Sequence, residues 1–424
     1  MGTIRIIPNA LSGTIDVPSS KSIMHRSIIG ASLSSGISVL NRMVFSEDIN
    51  ATISAVRTLG ADIEVKGSTL VINGGKHGSH EKAVIDCRES GSTLRFMIPV
   101  SLLFRDEVTF TGRGRLSERP ITSYIEAFSS HCVSFSSDRL PVTVRGRLVP
   151  GTYEIDGGIS SQFVTGLLLA LPLLEGDSYI RIQNKLESKG YVDITIEEMR
   201  KFGVTVENID YSVFYIPGNQ KYISSHLSME GDYSQAAFWL AAGALSGPIK
   251  CAGLNNSSVQ GDSVILKILS EMGAQISLDA EGISISRSPI RGITVDVSDC
   301  PDLAPAIAVL GALAKGETRI VNAARLRVKE SDRLKAIVTE LSKLGAEIWE
   351  NEDSIIIHGK KALYGGRVSS WNDHRIAMAL AVASIGCIQP VIIDGYESIN
   401  KSYPHFFEDF KLLGGIFDEL DLGK

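Results

Sequence analysis

Residues 58–65, TLGADIEV, show the end of an apolar helix, a glycine, and a segment in which polar and apolar side chains alternate. A glycine after a helix is the usual left-handed cap, and the alternation indicates a half-buried strand. The same pattern returns five times, once in degraded form, with its anchor position at Gly60, His131, Gly203, Gly273, Gly345 and Gly414. The intervals of 69 to 72 residues predict six copies of one supersecondary unit.

Six strongly apolar helical segments form a second repeat with a similar period. They open at polar turns near Lys21, Ser90, Ser160, Asp232, Asp302 and Asp373. Each unit is therefore expected to contain a strand, a buried helix, a strand, an amphipathic helix and two strands, which is an α/β (α+β) fold. A helix that is apolar on all sides must be enclosed, so three such helices are expected inside each of two domains, covered by sheets.

Composition narrows the classes of function. The 424 residues are 44% hydrophobic and 21% charged, as in a globular chain with two domains. A net charge of −6 gives no general attraction to nucleic acid or to an anionic membrane, and the longest apolar run, 167–174, is too short to span a bilayer. Five scattered cysteines without a CxxC pair favour reduced thiols. We therefore expect a soluble cytoplasmic protein that binds no nucleic acid, membrane or metal.

The polar residues at the helix starts suit an anionic ligand, because helix N-termini present free N–H groups and the positive end of the helix dipole. Lys21, Ser22 and Arg26 lie at the start of one apolar helix, and residues 160–162 add two hydroxyls and an amide at another. Ordinary helix capping explains each start equally well when it is taken alone.

Two arginines strengthen the case for an anion site. Arg119 and Arg333 are 214 residues apart, which is three periods, so their guanidinium groups occupy equivalent places in two units. Guanidinium groups capture phosphate or carboxylate in a bidentate manner, although a solvated charged turn is the alternative. Residues 372–375, NDHR, place four polar groups directly against an apolar helix, which is costly unless they act on something. No GxxxxGK[ST] or HExxH motif supports a nucleotide or zinc mechanism.

Ten segments together resemble the 5-enolpyruvylshikimate-3-phosphate synthase family (3-phosphoshikimate 1-carboxyvinyltransferases). They are VPSSKSIMHR (17–26), SGSTLRF (90–96), SERPI (117–121), SSQFVTGLL (160–168), ESKGYVDIT (187–195), EGDYSQAAF (230–238), PDLAPAIA (301–308), RVKESDR (327–333), WNDHRIAMA (371–379) and NKSYPHFF (400–407). The match runs from about residue 3 to residue 418 in family order.

The resemblance implies a two-domain inside-out α/β barrel with three βαβαββ units in each domain. Residues 20–230 are implied to form the shikimate-phosphate side, and residues 1–19 with 231–424 the phosphoenolpyruvate side, with the ligands in the interdomain cleft. The implied reaction transfers the enolpyruvyl group of phosphoenolpyruvate to the 5-hydroxyl of shikimate-3-phosphate and releases phosphate, on the route to chorismate and aromatic amino acids. No cofactor is implied, and the enzyme is expected to be a monomer and a glyphosate target.

The resemblance also implies site residues, carried over position by position. The implied catalytic residues are Asp302, Glu330, Lys21 and Lys329. Shikimate-3-phosphate is implied to contact Lys21, Ser22, Arg26, Ser160, Ser161, Gln162, Ser188, Asp302, Arg325 and Lys329. Phosphoenolpyruvate is implied to contact Lys21, Gly91, Arg119, Gln162, Arg333, Arg375 and Lys401. The addition–elimination needs one group near the hydroxyl (Asp302 with Lys329) and one that gives and retakes a proton at C3 (Glu330).

The chain departs from the family at a few positions near these residues. Residues 89–92 are Glu-Ser-Gly-Ser where many members have Asn-Ala-Gly-Thr, and Arg325 stands where some have asparagine. Two other functions are alternatives to the implied one. A UDP-N-acetylglucosamine enolpyruvyl transferase usually has a reactive cysteine in the unit holding residues 112–120. No cysteine lies within 112–120 of this chain, and Cys132 of the same unit lies at the degraded anchor. A non-enzymatic repeat scaffold does not account for basic residues concentrated at helix starts in a net acidic chain.

Overall fold

The computed structural model describes residues 2–75, 82–279 and 281–420. The chain divides into two compact units. The contiguous unit is Ser19–Glu230, and the split unit combines Met1–Pro18 with Gly231–Lys424. The predicted domain boundaries differ from this division only in the placement of Ser19. Within the described residues, no helix has the length and apolar character needed to cross a membrane.

The elements follow one another in the order that the repeat predicts. The split unit begins with β1 (Thr3–Ile7) and β2 (Gly13–Asp16). The contiguous unit then contains α1 (Lys21–Leu33), β3 (Gly36–Asn41), α2 (Glu47–Thr58), β4 (Asp62–Lys66), β5 (Thr69–Gly74), β6 (Ala83–Asp86), α3 (Gly91–Ser101), β7 (Glu107–Thr111), α4 (Thr122–Ala127), β8 (Val133–Phe135), β9 (Val142–Gly146), β10 (Thr152–Asp156), α5 (Ser161–Ala170), β11 (Ser178–Gln183), α6 (Lys189–Lys201), β12 (Glu207–Ile209), β13 (Val213–Ile216) and β14 (His226–Ser228).

The rest of the split unit repeats the same order. It contains α7 (Tyr233–Leu245), β15 (Ile249–Ala252), α8 (Ile265–Met272), β16 (Gln275–Asp279), β17 (Gly282–Ser286), β18 (Thr294–Asp296), α9 (Ala304–Leu313), β19 (Glu317–Val321), α10 (Arg333–Lys343), β20 (Glu347–Glu350), β21 (Ile355–His358), β22 (Gly366–Ser369), α11 (His374–Ala383), β23 (Val391–Asp394), α12 (Phe406–Leu412) and β24 (Ile416–Leu420). Short 3-10 turns precede four of these helices: Gly261–Val264, Pro301–Leu303, Ala324–Val328 and Tyr396–Lys401.

The strands form four-stranded sheets with one shared topology. In the sheet β6-β7-β9-β8, the first pair is parallel and the next two pairs are antiparallel. The parallel pair flanks a buried helix, because a parallel connection needs a crossover, and α3 provides it. The other sheets are β14-β3-β5-β4 and β10-β11-β13-β12 in the contiguous unit, and β2-β15-β17-β16, β18-β19-β21-β20 and β22-β23-β1-β24 in the split unit. This is the predicted βαβαββ unit.

Two strand exchanges depart from a simple linear repeat. β14 pairs in parallel with β3, and β2 pairs in parallel with β15, so the first and fourth repeats have exchanged their first strands. β1 lies between β23 and β24, where it supplies the strand that the last repeat lacks after α12. The split unit therefore depends on the N-terminal segment for two of its sheets.

The apolar helices form the centres of two separate cores. α3 packs against α5 in the contiguous unit, while α7, α9 and α11 pack against one another in the split unit. Every residue of α7 from Tyr233 to Ala244 is buried, which explains its lack of a polar face. Its Trp239 stacks on Phe406 at 4.7 Å between ring centroids. Each buried large apolar side chain stabilises the fold by roughly 1.5–3 kcal/mol, so these helices account for much of the folding free energy.

Candidate active site

Arg333 lies at the centre of a buried charge cluster in the split unit. It is the first residue of α10, and its side chain is 1% exposed. Its guanidinium donates to Asp302 Oδ1 at 2.9 Å, to Glu330 Oε2 at 2.7 Å and to Asp373 Oδ2 at 3.0 Å. Burial alone lowers the pKa of Arg333, but the carboxylates, Asp373 first, outweigh burial and raise it. The guanidinium is therefore charged and fixed in orientation.

Arg375 joins the starts of three apolar segments. It is the second residue of α11, and its side chain is 5% exposed. Its Nη2 donates to Asp302 Oδ2 at 3.0 Å and to Ser234 Oγ, in the first turn of α7, at 2.9 Å. Asp302 belongs to the 3-10 turn that leads into α9. This carboxylate therefore bridges Arg333 and Arg375.

Lys329 is the residue of the cluster whose pKa is lowered toward neutral pH. Its Nζ lies 3.7 Å from Asp302 Oδ1. Burial, followed by the positive charges of Arg325 and Arg333, lowers the pKa of Lys329 to about 8, against the opposing effects of Asp302 and Glu330. A lysine with this pKa can both accept and return a proton close to neutral pH.

A strained turn leads into α11 and also holds Lys401. Trp371 and Asn372 both adopt left-handed backbone conformations, with φ of 54° and 53°. Asp373 Oδ1 caps the helix by accepting from the Arg375 backbone N–H at 2.9 Å. Lys401 Nζ donates to the Asn372 carbonyl at 2.7 Å. Non-glycine residues persist in this conformation only where their surroundings hold them. The turn therefore fixes the positions of Arg375 and Lys401, two residues that are predicted to contact phosphoenolpyruvate.

In the contiguous unit, two arginines converge on the start of α3. Arg95 Nη1 donates to Gln162 Oε1 at 2.7 Å, and Gln162 Nε2 donates to Ser92 Oγ at 3.0 Å. A Cβ atom on Gly91 would lie 2.9 Å from Arg95 Nη1 and 3.0 Å from Arg119 Nη1. Arg119 Nε is buried and finds no hydrogen-bond acceptor within the described residues. The N-terminal end of α3 and two guanidinium groups thus form a site suited to an anion.

The residues of α1 are placed differently from one another. Lys21 Nζ forms a 2.7 Å ion pair with Asp48, and Ser22 is half-buried. Arg26 is only 2% exposed, and burial lowers its pKa to about 10. The Arg26 guanidinium donates to Thr195 Oγ1 (2.7 Å), Ser22 O (2.6 Å), Tyr191 O (2.9 Å) and Thr165 Oγ1 (3.2 Å). Its predicted contact with shikimate-3-phosphate stays a prediction, and its visible role is to tie α1 to α5 and α6.

The three predicted serines outside α1 lie at the starts of α5 and α6. Ser160 caps α5 by accepting from the Gln162 backbone N–H at 3.3 Å, and Ser161 is 3% exposed. Ser188 precedes α6 in a left-handed conformation with φ of 56° and is 1% exposed. Hydroxyls at helix starts can accompany backbone N–H groups in binding phosphate, so the placement agrees with the predicted role without testing it.

The two departures from the family pattern lie beside the predicted residues. A Cβ on Gly114 would lie 2.7 Å from Glu89 Oε2, so the Glu89 carboxylate rests against the turn Gly114–Glu118 that precedes Arg119. Arg325 is half-buried and close enough to lower the pKa of Lys329. Glu89 therefore adds a negative charge near Arg119, and Arg325 adds a positive charge near Lys329; both neighbours are predicted to contact a substrate.

Several neighbours of these residues were not predicted as site residues. Asp373 stands at the same place in its repeat as Asp302, which was a usable signal. Arg95 follows Gly91 by four residues, one helical turn, and so had to lie on the same face of α3. Ser234 and Asp48 carried no such signal, because their partners are distant in the chain.

Comparison with known proteins supports a single family. A family model described as EPSP synthase (3-phosphoshikimate 1-carboxyvinyltransferase) matches residues 6–410. Two curated relatives with the name 3-phosphoshikimate 1-carboxyvinyltransferase, from Clostridium novyi and Clostridium acetobutylicum, are each 51% identical over 100% of both chains. The chain belongs to the EPSP synthase family. It is therefore an enolpyruvyl transferase of the shikimate pathway, which confirms the predicted transfer from phosphoenolpyruvate to shikimate-3-phosphate over the two alternatives.

Solved structures agree with this family at the level of the fold. EPSP synthase from Acinetobacter baumannii superposes with a TM-score of 0.85 and 26% identity, covering 99% of this chain and 100% of that one. The enolpyruvyl transferase NikO from Streptomyces tendae, at 17% identity and a TM-score of 0.82, covers 99% of this chain and 98% of that one and shows only a shared fold. The predicted inside-out α/β barrel is thereby confirmed. The prediction that the substrates of this EPSP synthase family member lie between its two domains stays a prediction.

Proposed function

We propose that Asp302, Lys329 and Glu330 carry the proton transfers of the EPSP synthase reaction in this chain. The observation that supports this proposal most directly is their shared arrangement around one guanidinium. Arg333 donates to Asp302 and to Glu330, and Lys329 Nζ lies 3.7 Å from Asp302 Oδ1. A proton acceptor, a proton carrier and a fixed positive charge are thus held together on the split unit.

The proposed chemistry has two stages. In the addition, Lys329 with Asp302 accepts the proton of the 5-hydroxyl as its oxygen bonds to C2 of phosphoenolpyruvate, and Glu330 gives a proton to C3. In the elimination, C3 returns a proton to Glu330 and the C2–O bond to phosphate breaks, which restores the double bond. The proton that Lys329 accepted from the hydroxyl passes to the departing phosphate, so both side chains return to their starting states. Because Lys329 has a pKa of about 8, its neutral form is accessible to start the first stage.

The substrate-binding residues are proposed in two sets. On the contiguous unit, we assign shikimate-3-phosphate to Lys21, Ser22, Arg26, Ser160, Ser161, Gln162 and Ser188, and phosphoenolpyruvate to Lys21, Gly91, Arg119 and Gln162. On the split unit, we assign shikimate-3-phosphate to Asp302, Arg325 and Lys329, and phosphoenolpyruvate to Arg333, Arg375 and Lys401. Multiply charged anions need this many cations, since each charge-assisted hydrogen bond offsets part of their desolvation.

Phosphoenolpyruvate binding has a consequence for Asp302. Arg333 and Arg375 each use one nitrogen on this carboxylate. An incoming anion competes with Asp302 for these donors, and the exchange of one anion for another keeps the guanidinium groups paired. Release of Asp302 then leaves its oxygens available to accept a hydrogen bond from the hydroxyl of shikimate-3-phosphate. Binding of phosphoenolpyruvate thus prepares Asp302 for the second substrate.

We also propose that the chain acts as a cytoplasmic monomer. Its thiols support the compartment: the described cysteines are all free, and burial raises the pKa of Cys87, Cys251 and Cys300 well above the ordinary range. Buried thiols of this kind resist oxidation and ionisation. Sedimentation velocity tests the monomer, and cell fractionation tests the compartment. The proposed sensitivity to glyphosate is tested by adding glyphosate to the assay described next.

Release of inorganic phosphate from phosphoenolpyruvate tests the proposed roles. With shikimate-3-phosphate as acceptor we expect turnover, and with UDP-N-acetylglucosamine we expect none. Asp302→Asn keeps the shape of the side chain but removes its charge, so we expect kcat to fall by about 10²–10⁴. A kcat of Asp302→Asn within threefold of the unchanged protein would contradict the role of Asp302.

A further inference from the structure

Glu340 is a buried carboxylate on α10 that the proposed mechanism does not use. Its side chain is 1% exposed. Oε1 accepts from the Trp371 indole Nε1–H at 2.6 Å, and Oε2 accepts from the Ser369 backbone N–H at 2.9 Å. Lys343 Nζ, one helical turn further on, lies 2.9 Å from both oxygens. A buried charge is costly unless it is fully paired, and here the pairing reaches out of the helix to one particular turn.

That turn is connected to three residues that are predicted to contact phosphoenolpyruvate. One of them follows the turn in the chain, and the other two form hydrogen bonds with it. Ser369 and Trp371 begin it, and Trp371 and Asn372 hold left-handed conformations. The Asn372 carbonyl then receives Lys401 Nζ, and α11 starts immediately afterwards with Arg375 in its first turn. Asp373, also in the turn, accepts from Arg333 Nε. The position of the turn thus sets the positions of Lys401, Arg375 and Arg333.

The hydrogen-bonding pattern requires a carboxylate at position 340. Each neighbour of Glu340 that faces it across these bonds is a donor: an indole N–H, a backbone N–H and an ammonium group. A carboxylate only accepts, whereas an amide of the same shape would turn two N–H donors toward one of these donors. Glutamine therefore leaves at least one contact of the turn unmade and places like dipoles against each other.

The internal repeat offers a matched carboxylate elsewhere. Glu198 and Lys201 on α6 stand two periods before Glu340 and Lys343. Glu198 is also buried, at 2% exposure, and also pairs with the lysine three residues on. Its other contact is different, because Glu198 Oε2 accepts from Ser27 Oγ in the middle of α1, at 2.6 Å. The repeat thus supplies one buried Glu–Lys pair that holds a helix and another that holds the strained turn.

We propose that Glu340 is a positioning residue for phosphoenolpyruvate, acting through the turn 369–373 that it holds by Trp371 and Ser369. The inference rests on the proposed function, since it takes Arg333, Arg375 and Lys401 as the residues that contact phosphoenolpyruvate. Glu340 itself contacts none of the reacting groups, and in this proposal it affects the binding of phosphoenolpyruvate but not that of shikimate-3-phosphate.

Steady-state kinetics and shikimate-3-phosphate binding in four variants of the full chain test this role. Glu340→Gln breaks the contact from one side, and Trp371→Phe keeps an aromatic side chain but removes the indole N–H. We expect each to raise the KM for phosphoenolpyruvate by about 5- to 20-fold, with kcat within threefold and the Kd for shikimate-3-phosphate unchanged, because misplaced ligands weaken binding before chemistry. Glu198→Gln is the matched control: the Ser27 hydroxyl can donate instead to the Ile23 carbonyl, 3.1 Å from its Oγ, so stability falls but this KM changes by less than twofold. Arg375→Ala tests the proposed function itself and should raise the same KM.

The results separate the two claims. An unchanged KM in both Glu340→Gln and Trp371→Phe, with a raised KM in Arg375→Ala, overturns the positioning role and leaves the proposed function standing. An unchanged KM in Arg375→Ala overturns the assigned phosphoenolpyruvate contacts. An equal rise in KM in Glu198→Gln would show a general loss of stability and also overturns the positioning role. If Glu340→Gln does not fold, Trp371→Phe decides the question, because Trp371 is only half-buried and its replacement leaves the Glu340 carboxylate paired with Lys343 and Ser369.

Discussion

At the scale of single residues, Asp302 is the carboxylate on which three cations of the split unit converge. Arg333 and Arg375 donate to its two oxygens, and Lys329 lies 3.7 Å away. Removing one partner of a buried pair costs far more than the pair contributes, because a charge is then left uncompensated. The cluster therefore holds its charges in fixed places.

Replacing Glu330 by glutamine should separate chemistry from binding. The amide oxygen can still accept from Arg333 Nη2, which Glu330 Oε2 contacts at 2.7 Å, but the side chain no longer exchanges a proton. We expect kcat to fall by about 10²–10⁴ while the KM for phosphoenolpyruvate changes little. Glu347→Gln, an exposed carboxylate on β20, is the control and should leave kcat unchanged. Near-normal kcat in Glu330→Gln would leave Asp302 or Lys329 to handle the C3 proton.

Arg325 should set the pH at which Lys329 becomes active. Its positive charge lowers the pKa of Lys329, so Arg325→Gln should raise that pKa above about 8. If neutral Lys329 accepts the hydroxyl proton, kcat rises with pH until Lys329 is deprotonated, and the rising limb moves to higher pH in the variant. Arg327→Gln removes the same charge two residues away, where Arg327 pairs with Glu350 at 3.0 Å, and should leave the limb in place. A pH profile of kcat that is identical in all three proteins would exclude Lys329 as the titrating group.

At the scale of elements, the two units treat their helix starts differently. α3 and α5 are capped by the neutral side chains of Ser90 and Ser160. α7 and α11 are capped by Asp232 and Asp373. A capping carboxylate already satisfies the N–H groups and the dipole that would attract an anion. The contiguous unit therefore offers helix starts to a ligand, whereas the split unit uses acidic starts to orient arginines.

Gly91→Ala tests the anion site at the start of α3. The added Cβ would lie 3.0 Å from Arg119 Nη1 and 2.9 Å from Arg95 Nη1, so the flexible ends of both arginines must move. We expect the variant to fold, with the KM for phosphoenolpyruvate raised by about 10-fold and the Kd for shikimate-3-phosphate unchanged. Gly158→Ala is the control, since its Cβ meets Asp156 Oδ1 only at 3.3 Å. Equal KM values in the two variants would count against Arg119 as a phosphoenolpyruvate ligand.

The sequence predicts the features that depend on neighbouring residues, such as the helix caps of the repeat. The anchor glycines adopt positive φ as expected, for example 115° at Gly60 and 93° at Gly345, because only glycine enters the left-handed cap without strain. The exchange of β2 and β14 and the insertion of β1 between β23 and β24 depend on pairings across hundreds of residues, which a local period does not encode. The same limit applies to the site. The repeat predicts where Arg333 lies within its unit, but the contact between Arg333 and Asp302 is seen only in the structure.

At the scale of the whole molecule, the division into units has a consequence for folding. All strands of the sheets β14-β3-β5-β4, β6-β7-β9-β8 and β10-β11-β13-β12 come from residues 19–230. The chain closes on itself there, since the Ser20 backbone N–H donates to the Glu230 carbonyl at 2.8 Å. The contiguous unit also has its own apolar core, with Phe163 and Phe202 almost fully buried. Each requirement for independent folding is therefore met within one uninterrupted segment.

Residues 19–230 expressed alone should consequently fold cooperatively and bind shikimate-3-phosphate without catalysing its conversion. The fragment keeps every residue that we assign to that substrate on the contiguous unit, and it lacks Asp302, Lys329 and Glu330. Urea unfolding followed by circular dichroism should show a single transition, and calorimetry should detect binding weaker than in the full chain, because the contacts from the split unit are missing. Residues 231–424 without the N-terminal segment are the contrast: they lack β1 and β2, so β24 loses its only described partner and the sheet of β15 loses an edge strand. We expect that fragment to be unfolded or aggregated, and recovery of its fold when residues 1–18 are added back by fusion. A fragment 19–230 that folds but shows no affinity for shikimate-3-phosphate would contradict the assignment of that substrate to the contiguous unit.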